Sequence, residues 1–447
     1  MCIGTVMKEI NSMRKSNGYP ESFPIDTGGV VQLITGIKEQ SPAFLIEYNT
    51  REMVDREKLR IAVNKALAVF RPFQVKLVRS DMDRRPVYTF NFAEADVYPY
   101  DGRPHAYGLE SSGYLFRVYY EKCRILLSMD HALTDFFGAH EFLKCILCFY
   151  FEIADGSPEE IRKLLAVDPD DFQDPYTLYG CTNLRGFSMK NKWQNALEIP
   201  NRMLYRRGEP IKVHELVFSI SDYLKISKRA ESSVFPLLTW LMGKAVAKTY
   251  GGEDKLLTGS GSYNCRSMFN SRTPKGFSQT FTTVLHPRER NMDMDVQLTV
   301  QRARMDIELE KETISSSLAV RKEMADHILA DAGRYILDQD QLDAERRASA
   351  RRSTYFLSYL GHMAAGTALE KYIEDVSAVG TVTRVPIVAN VWEWKGLLHF
   401  RTLEIGCEHS IAPAVLEIAD GLGITGRMMA PFEIRLDYYP LEELYHG

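Results

Sequence analysis

Strand and helix patterns recur on both sides of an aperiodic stretch from about Asp168 to Pro210, and this repeated grammar limits what the chain can fold into. Before the stretch, Phe44-Leu45-Ile46-Glu47-Tyr48 reads as extended. Asp55 then caps a helix whose apolar residues Leu59, Val63, Ala66, Leu67 and Phe70 recur at helical spacing. Pro72 ends that helix, and Phe73 to Val78 resumes a strand. Gly113–Tyr120 and Arg124–Asp130 make a hairpin turning at Glu121-Lys122.

After the stretch, Lys212 to Ile220 is a strand and Tyr223 to Glu231 a short helix. Ser232 and Ser233 precede an apolar helix through Leu237, Leu238, Leu241, Met242, Ala245 and Val246, with Pro236 in its first turn. A charged helical region with breaks runs from about Asp295 to Asp338. Strands follow at Tyr355–Leu360, Pro386–Trp394 and Leu397–Leu403, then a helix near Pro413–Ala419 and a closing strand Phe432–Tyr439. Two α/β sandwiches joined by a crossover fit this order. The expected boundaries are 1–175, a crossover over 176–210, and 211–447. A chain of 447 residues also exceeds what one compact core organises.

The most reactive grouping is Asp130-His131-Ala132-Leu133-Thr134-Asp135-Phe136-Phe137-Gly138. It lies where the strand containing Leu126, Leu127 and Met129 ends and the helix containing Phe142, Leu143, Ile146 and Leu147 begins. Such exits present reactive groups in α/β scaffolds. An imidazole takes and returns a proton near neutral pH, and the aspartate four positions on either fixes the loop or orients the ring. The plain alternative is a satisfied histidine at a sheet edge. Metal ligation lacks a third nearby ligand.

Composition excludes several classes. A formal charge of -4 argues against nucleic acid as the main partner. The start, Met-Cys-Ile-Gly-Thr-Val-Met-Lys-Glu-Ile, has no basic region leading into an apolar one, and the longest apolar run, near Ile146–Ile153, is too short for a membrane span. A cytoplasmic location is expected. The cysteines Cys2, Cys123, Cys145, Cys148, Cys181, Cys265 and Cys407 are scattered and odd in number. They read as reduced thiols, with Cys145 and Cys148 inside an apolar helix rather than at a metal or redox site.

On three segments the chain resembles the chloramphenicol-acetyltransferase-like superfamily, which includes alcohol acetyltransferases, plant-type BAHD acyltransferases and condensation domains of nonribosomal peptide synthetases. His131 to Asp135 matches its His-x-x-x-Asp motif. Gly261-Ser262-Tyr263-Asn264-Cys265-Arg266, with Gly276-Phe277, is similar to its stretch with an arginine and a later glycine. Phe356-Leu357-Ser358-Tyr359-Leu360-Gly361 is similar to its Ser-Asn-x-Gly strand. There are departures. Asp130 stands where many members carry a first histidine, Phe136 replaces a glycine that comes two residues late as Gly138, and Tyr359 replaces an asparagine. The Asp-Phe-Gly-Trp-Gly motif of the BAHD branch is absent.

The resemblance implies two pseudo-symmetric α/β sandwich domains with the active site at their interface. It implies an acyltransferase that moves an acyl group, acetyl above all, from an acyl-coenzyme A co-substrate to a small alcohol or amine, with no tightly bound cofactor. His131 would be the general base and Asp135 structural support, with Arg266 as its salt-bridge partner. Ser278, Thr280 and Ser358 are candidates for the oxyanion or tunnel. Two other readings remain: an acyl donor on a carrier protein, or a non-catalytic binding relative.

Other residues carry plainer expectations. His140 is packed or on the surface, and His362 is core or surface before it is tunnel. Trp392 and Trp394 point to one face of a strand and pack in a core. Arg346, Arg347, Arg351 and Arg352 form a positive patch, read first as a solvated face and second as a contact for coenzyme A phosphates or an acidic carrier protein.

Overall fold

The computed structural model describes residues 22–35, 43–80, 85–102, 112–181, 196–199, 210–229, 233–330, 353–363, 366–381 and 385–435. Its N-terminal half supplies β1 (Ser22–Pro24), β2 (Ala43–Thr50), β3 (Val75–Arg79), β4 (Pro86–Phe90), β5 (Val97–Pro99), β6 (Phe116–Glu121) and β7 (Arg124–Asp130). The helices used below from this half are α1 (Thr27–Thr35), α2 (Arg56–Val69) and α3 (Phe136–Tyr150). Asp55 caps α2 as its position predicts, accepting from the Lys58 N–H at 2.8 Å.

The C-terminal half supplies β8 (Ile211–Ser219), β9 (Leu257–Asn264), β10 (Ser278–Leu285), β11 (Tyr355–His362), β12 (Ile373–Val379), β13 (Ile387–Trp394), β14 (Leu397–Glu404), β15 (Gly426–Met428) and β16 (Phe432–Ile434). Its longer helices are α4 (Ile220–Arg229), α5 (Val234–Tyr250), α6 (Met294–Glu308), α7 (Lys311–Ala330) and α8 (Ala412–Gly421). The charged region past Asp295 thus divides into α6 and α7. The crossover contains a short helix, Pro175–Tyr179. The closing strand is described only to Ile434, and its predicted end at Tyr439 lies outside the described residues. So do the four arginines 346, 347, 351 and 352, and most of the crossover.

The large sheet runs β10-β9-β11-β13-β14-β8-β15, with β16 also on β8. One face is apolar through Leu216, Phe218, Tyr355, Leu357, Ala389, Val391, Leu398 and Phe400, and buries against residues of α5 and α8. The second sheet runs β12-β2-β7-β6-β5. Here a strand from the second half, β12, pairs antiparallel with β2, setting Val376 opposite Tyr48. The two sheets meet through Leu45 and Val379 on one side and Val388, Leu403 and Val213 on the other. Trp392 and Trp394 do share one face of β13, and both pack into the core of the N-terminal half. Their indole N–H groups donate to the Val376 and Glu374 carbonyls of β12 at 3.1 and 3.4 Å. A third sheet, β1-β4-β3, completes the fold. Among the described residues no helix is long and apolar enough to cross a membrane.

Candidate active site

Strand β7 ends at Asp130, and α3 begins at Phe136. The loop between them is sealed at Ala132, Leu133, Thr134 and Asp135, whereas His131 keeps partial solvent exposure. Phe44 of β2 meets the imidazole edge-on with ring centroids 5.2 Å apart. His131 Nδ1 is buried and forms no hydrogen bond. Burial pulls the His131 pKa below its ordinary value. The Asp135 carboxylate and the backbone of His131 and Thr134 oppose that shift without cancelling it. The neutral imidazole is therefore the dominant form near pH 7.

Asp135 caps α3, accepting from the Gly138 N–H at 3.2 Å. Its two oxygens also take a bidentate pair of 2.9 Å bonds from Nη1 and Nη2 of Arg266, and Oδ2 accepts the Phe277 N–H at 2.8 Å. Burial alone would raise the Asp135 pKa. Arg266, then the Phe277 and Gly138 amides, outweigh it, and the carboxyl ends below its usual range. Asp135 and Arg266 thus form a buried, bidentate ion pair.

Arg266 is held in turn by the second half. Its Nε donates to the Thr273 carbonyl at 2.8 Å and its Nη2 to the Lys275 carbonyl at 2.5 Å, while its guanidinium lies 4.9 Å from the centre of the Phe137 ring. Thr134 Oγ1 donates to the Pro274 carbonyl at 2.5 Å. Residues 273–277 thus run directly along the His131–Asp135 loop. This contact explains the late glycine: a Cβ at Gly138 would sit 2.1 Å from the Pro274 carbonyl oxygen. Phe136 packs toward Phe44 and stacks on His140.

Asp130, which departs from the family pattern, is fully buried. Oδ1 accepts the Ala132 N–H at 2.8 Å and Oδ2 has no hydrogen bond. Burial pushes its pKa up to about 7. His140 is packed rather than exposed, with Nε2 2.5 Å from the Tyr48 hydroxyl, and burial holds its pKa down to about 4. His362 is exposed at the end of β11.

The hydroxyl candidates separate. Ser278 opens β10 one residue after Phe277, and is partly buried. Ser358 shares a 3.0 Å contact with Ser262, which pairs across β9 and β10 with Thr280. Thr280 itself is exposed and accepts from Arg321 at 2.7 Å. No described residues cluster as metal ligands. Cys145 and Cys148 are buried free thiols, and burial raises the pKa of each.

No protein-family model matches the chain, and no curated protein matches it in sequence. Solved structures do match. The F. sporotrichioides TRI101 complexed with coenzyme A and T-2 is similar with a TM-score of 0.58 at 11% identity, over 86% of this chain and 95% of that one. The TRI3 trichothecene 15-O-acetyltransferase from Fusarium sporotrichioides is similar at 0.59 and 8% identity, over 89% and 94%. The chain has the chloramphenicol-acetyltransferase-like fold. The nonribosomal peptide synthetase FmoA3 is also similar, with a TM-score of 0.51 and 13% identity, over 90% of this chain and 42% of that larger one.

Within this fold, the sequence missed the partners that hold Arg266 and the hydrogen bond from the Phe277 amide. Both come from backbone groups, which residue identity does not advertise. Gly138 was the available signal, because a glycine early in an apolar helix marks a close approach.

Proposed function

We propose that the protein is an acyltransferase that moves an acyl group, acetyl above all, from a coenzyme A thioester to the hydroxyl or amine of a small molecule. The observation that carries this reading is the part-exposed neutral imidazole of His131, standing alone among sealed neighbours at the end of β7. His131 takes the proton of the acceptor as its oxygen or nitrogen attacks the thioester carbonyl. The tetrahedral intermediate collapses, the carbon–sulfur bond breaks, and the imidazolium returns the proton to the leaving thiolate. General-base help of this kind contributes typically about 10²–10⁴-fold.

Asp135 is in this reading a positioning residue. Its oxygens are committed to Arg266 and the Phe277 and Gly138 amides, so it shapes the loop rather than moving protons. The halves 1–175 and 211–447 then each supply one side of the site, joined by this pair. Ser278 and Ser358 are the oxyanion candidates. Thr280 is the weaker one, being exposed and engaged by Arg321.

Two similar structures, one complexed with coenzyme A and T-2 and one a trichothecene 15-O-acetyltransferase, support the donor and the hydroxyl acceptor. The likeness to a nonribosomal peptide synthetase supports a second reading, with the acyl group on a carrier protein. A cytoplasmic setting belongs to the first reading. The test offers purified protein acetyl-coenzyme A with a panel of alcohols and amines and follows free thiol. Acceptor-dependent release that disappears in His131→Ala supports the proposal. Turnover only with a loaded carrier protein would transfer the assignment to the second reading.

A further inference from the structure

On the far side of α1 from the His131 loop lies a cavity of about 430 Å³ that the reaction above does not use. Gly29 turns one side of α1 onto the Ala132 carbonyl, while Thr27 and Val30 line the cavity. The volume is within the range of small-molecule pockets. Its walls are mostly apolar, with Phe23, Phe90 and Phe172 packed at mutual centroid distances of 5.4 to 5.8 Å.

The polar groups at this cavity are satisfied with one exception. Lys322 is paired with Asp326 at 2.5 Å. Asp174 accepts from the Thr27 amide and hydroxyl, the Tyr176 amide and the Thr177 hydroxyl. Asp26 is 6% exposed; Oδ1 takes the Gly29 N–H at 2.9 Å, but Oδ2 has no hydrogen bond. Lys275 Nζ, on a side chain 2% exposed, stands 3.3 Å from that oxygen as an ion pair only. The Lys275 ammonium is the one charged partner of this buried oxygen, and a hydroxyl arriving in the cavity would add a hydrogen bond to it. Three carboxylates, those of Asp26, Asp174 and Asp326, outnumber the two ammonium groups of Lys275 and Lys322, so the lining disfavours an anionic ligand.

We propose that this cavity binds an uncharged, largely apolar small molecule bearing a hydroxyl, with the carbon frame among Phe23, Phe90 and Phe172 and the hydroxyl donating to Asp26 Oδ2. The inference is independent of acyl transfer, because it is read by binding. 2-Naphthol, neutral at pH 7, is the probe, titrated calorimetrically into the full chain. Saturable binding at one site is expected, with 2-naphthoate at least tenfold weaker. Thr177 is exposed at the rim, so Thr177→Trp is expected to weaken 2-naphthol at least tenfold. Leu178→Trp, also at an exposed position but off the cavity, and His131→Ala should leave the affinity unchanged. Circular dichroism and melting show that each variant is folded. Absence of saturable binding, equal affinity for 2-naphthoate, undiminished binding to folded Thr177→Trp, or loss of binding in His131→Ala would each overturn the proposal.

Discussion

Asp135 and Arg266 lie 131 positions apart in the chain and meet through two 2.9 Å hydrogen bonds, joining the loop after β7 to the segment between β9 and β10. Both side chains are almost wholly buried. Removing one partner strands the other charge, which costs about 3–5 kcal/mol. Arg266→Met should therefore lower stability by about that amount at neutral pH, measured by urea unfolding. The depressed Asp135 pKa gives the direction with pH. The pair's contribution is complete above the ordinary carboxylate value of about 4 and is lost as pH falls through the lower, folded value. The gap between parent and Arg266→Met should accordingly narrow in acid. A gap that widened there would contradict the pairing.

Asp130 has the opposite sign. Its folded pKa of about 7 lies above that of the unfolded carboxyl, so its contribution favours the fold in acid and is lost as pH rises toward 7. Asp130→Asn keeps an acceptor for the Ala132 amide and removes the charge. Relative to the parent, it should gain stability between about pH 4 and pH 7. Parallel pH–stability curves for the two proteins would refute this account.

Activity should follow the state of His131. Because only the neutral ring accepts a proton and burial depresses its pKa, kcat/KM should stay level at pH 7 and fall only below about 6.5. His131→Ala should lose about 10²–10⁴-fold in kcat. An acid limb centred above the ordinary imidazole value would argue for a different base.

Two glycines in this region make opposite predictions. A methyl at Gly138 would collide with the Pro274 carbonyl and the Thr134 hydroxyl, at 2.1 and 2.2 Å. At Gly276 the nearest atom is 3.6 Å away, an ordinary contact. Gly138→Ala should push residues 273–277 off the loop and lower both melting temperature and kcat. Gly276→Ala should change neither by much.

What the sequence made legible was whatever repeats locally or ends in a known cap. The periodicity of Leu59, Val63, Ala66 and Leu67 marked α2, and alternation at Trp392 and Trp394 put both indoles on one face. The meeting of Asp135 with Arg266 was legible through motif order, because both are side chains whose charge asks for a partner. β12 (Ile373–Val379) was not found, because it opens with the charged pair Glu374-Asp375 and its partner β2 lies far away in the chain. β4 was missed for a similar reason: Pro86 begins it, and proline reads as a break. The Asp26–Lys275 pair was invisible because no spacing rule links residues that only the folded topology brings together.

The pairing of β12 with β2 also bears on how the molecule can move and be divided. A strand lent by one half to the other's sheet works like a stitch: hinging the halves wide apart would unzip a backbone ladder, so ligands must enter by side-chain and loop adjustments around a fixed seam. Severed at the connection between them, the N-terminal piece would expose β2 as a bare, largely apolar edge, the kind of surface that draws chains into aggregates. The two pieces should become soluble only when made together.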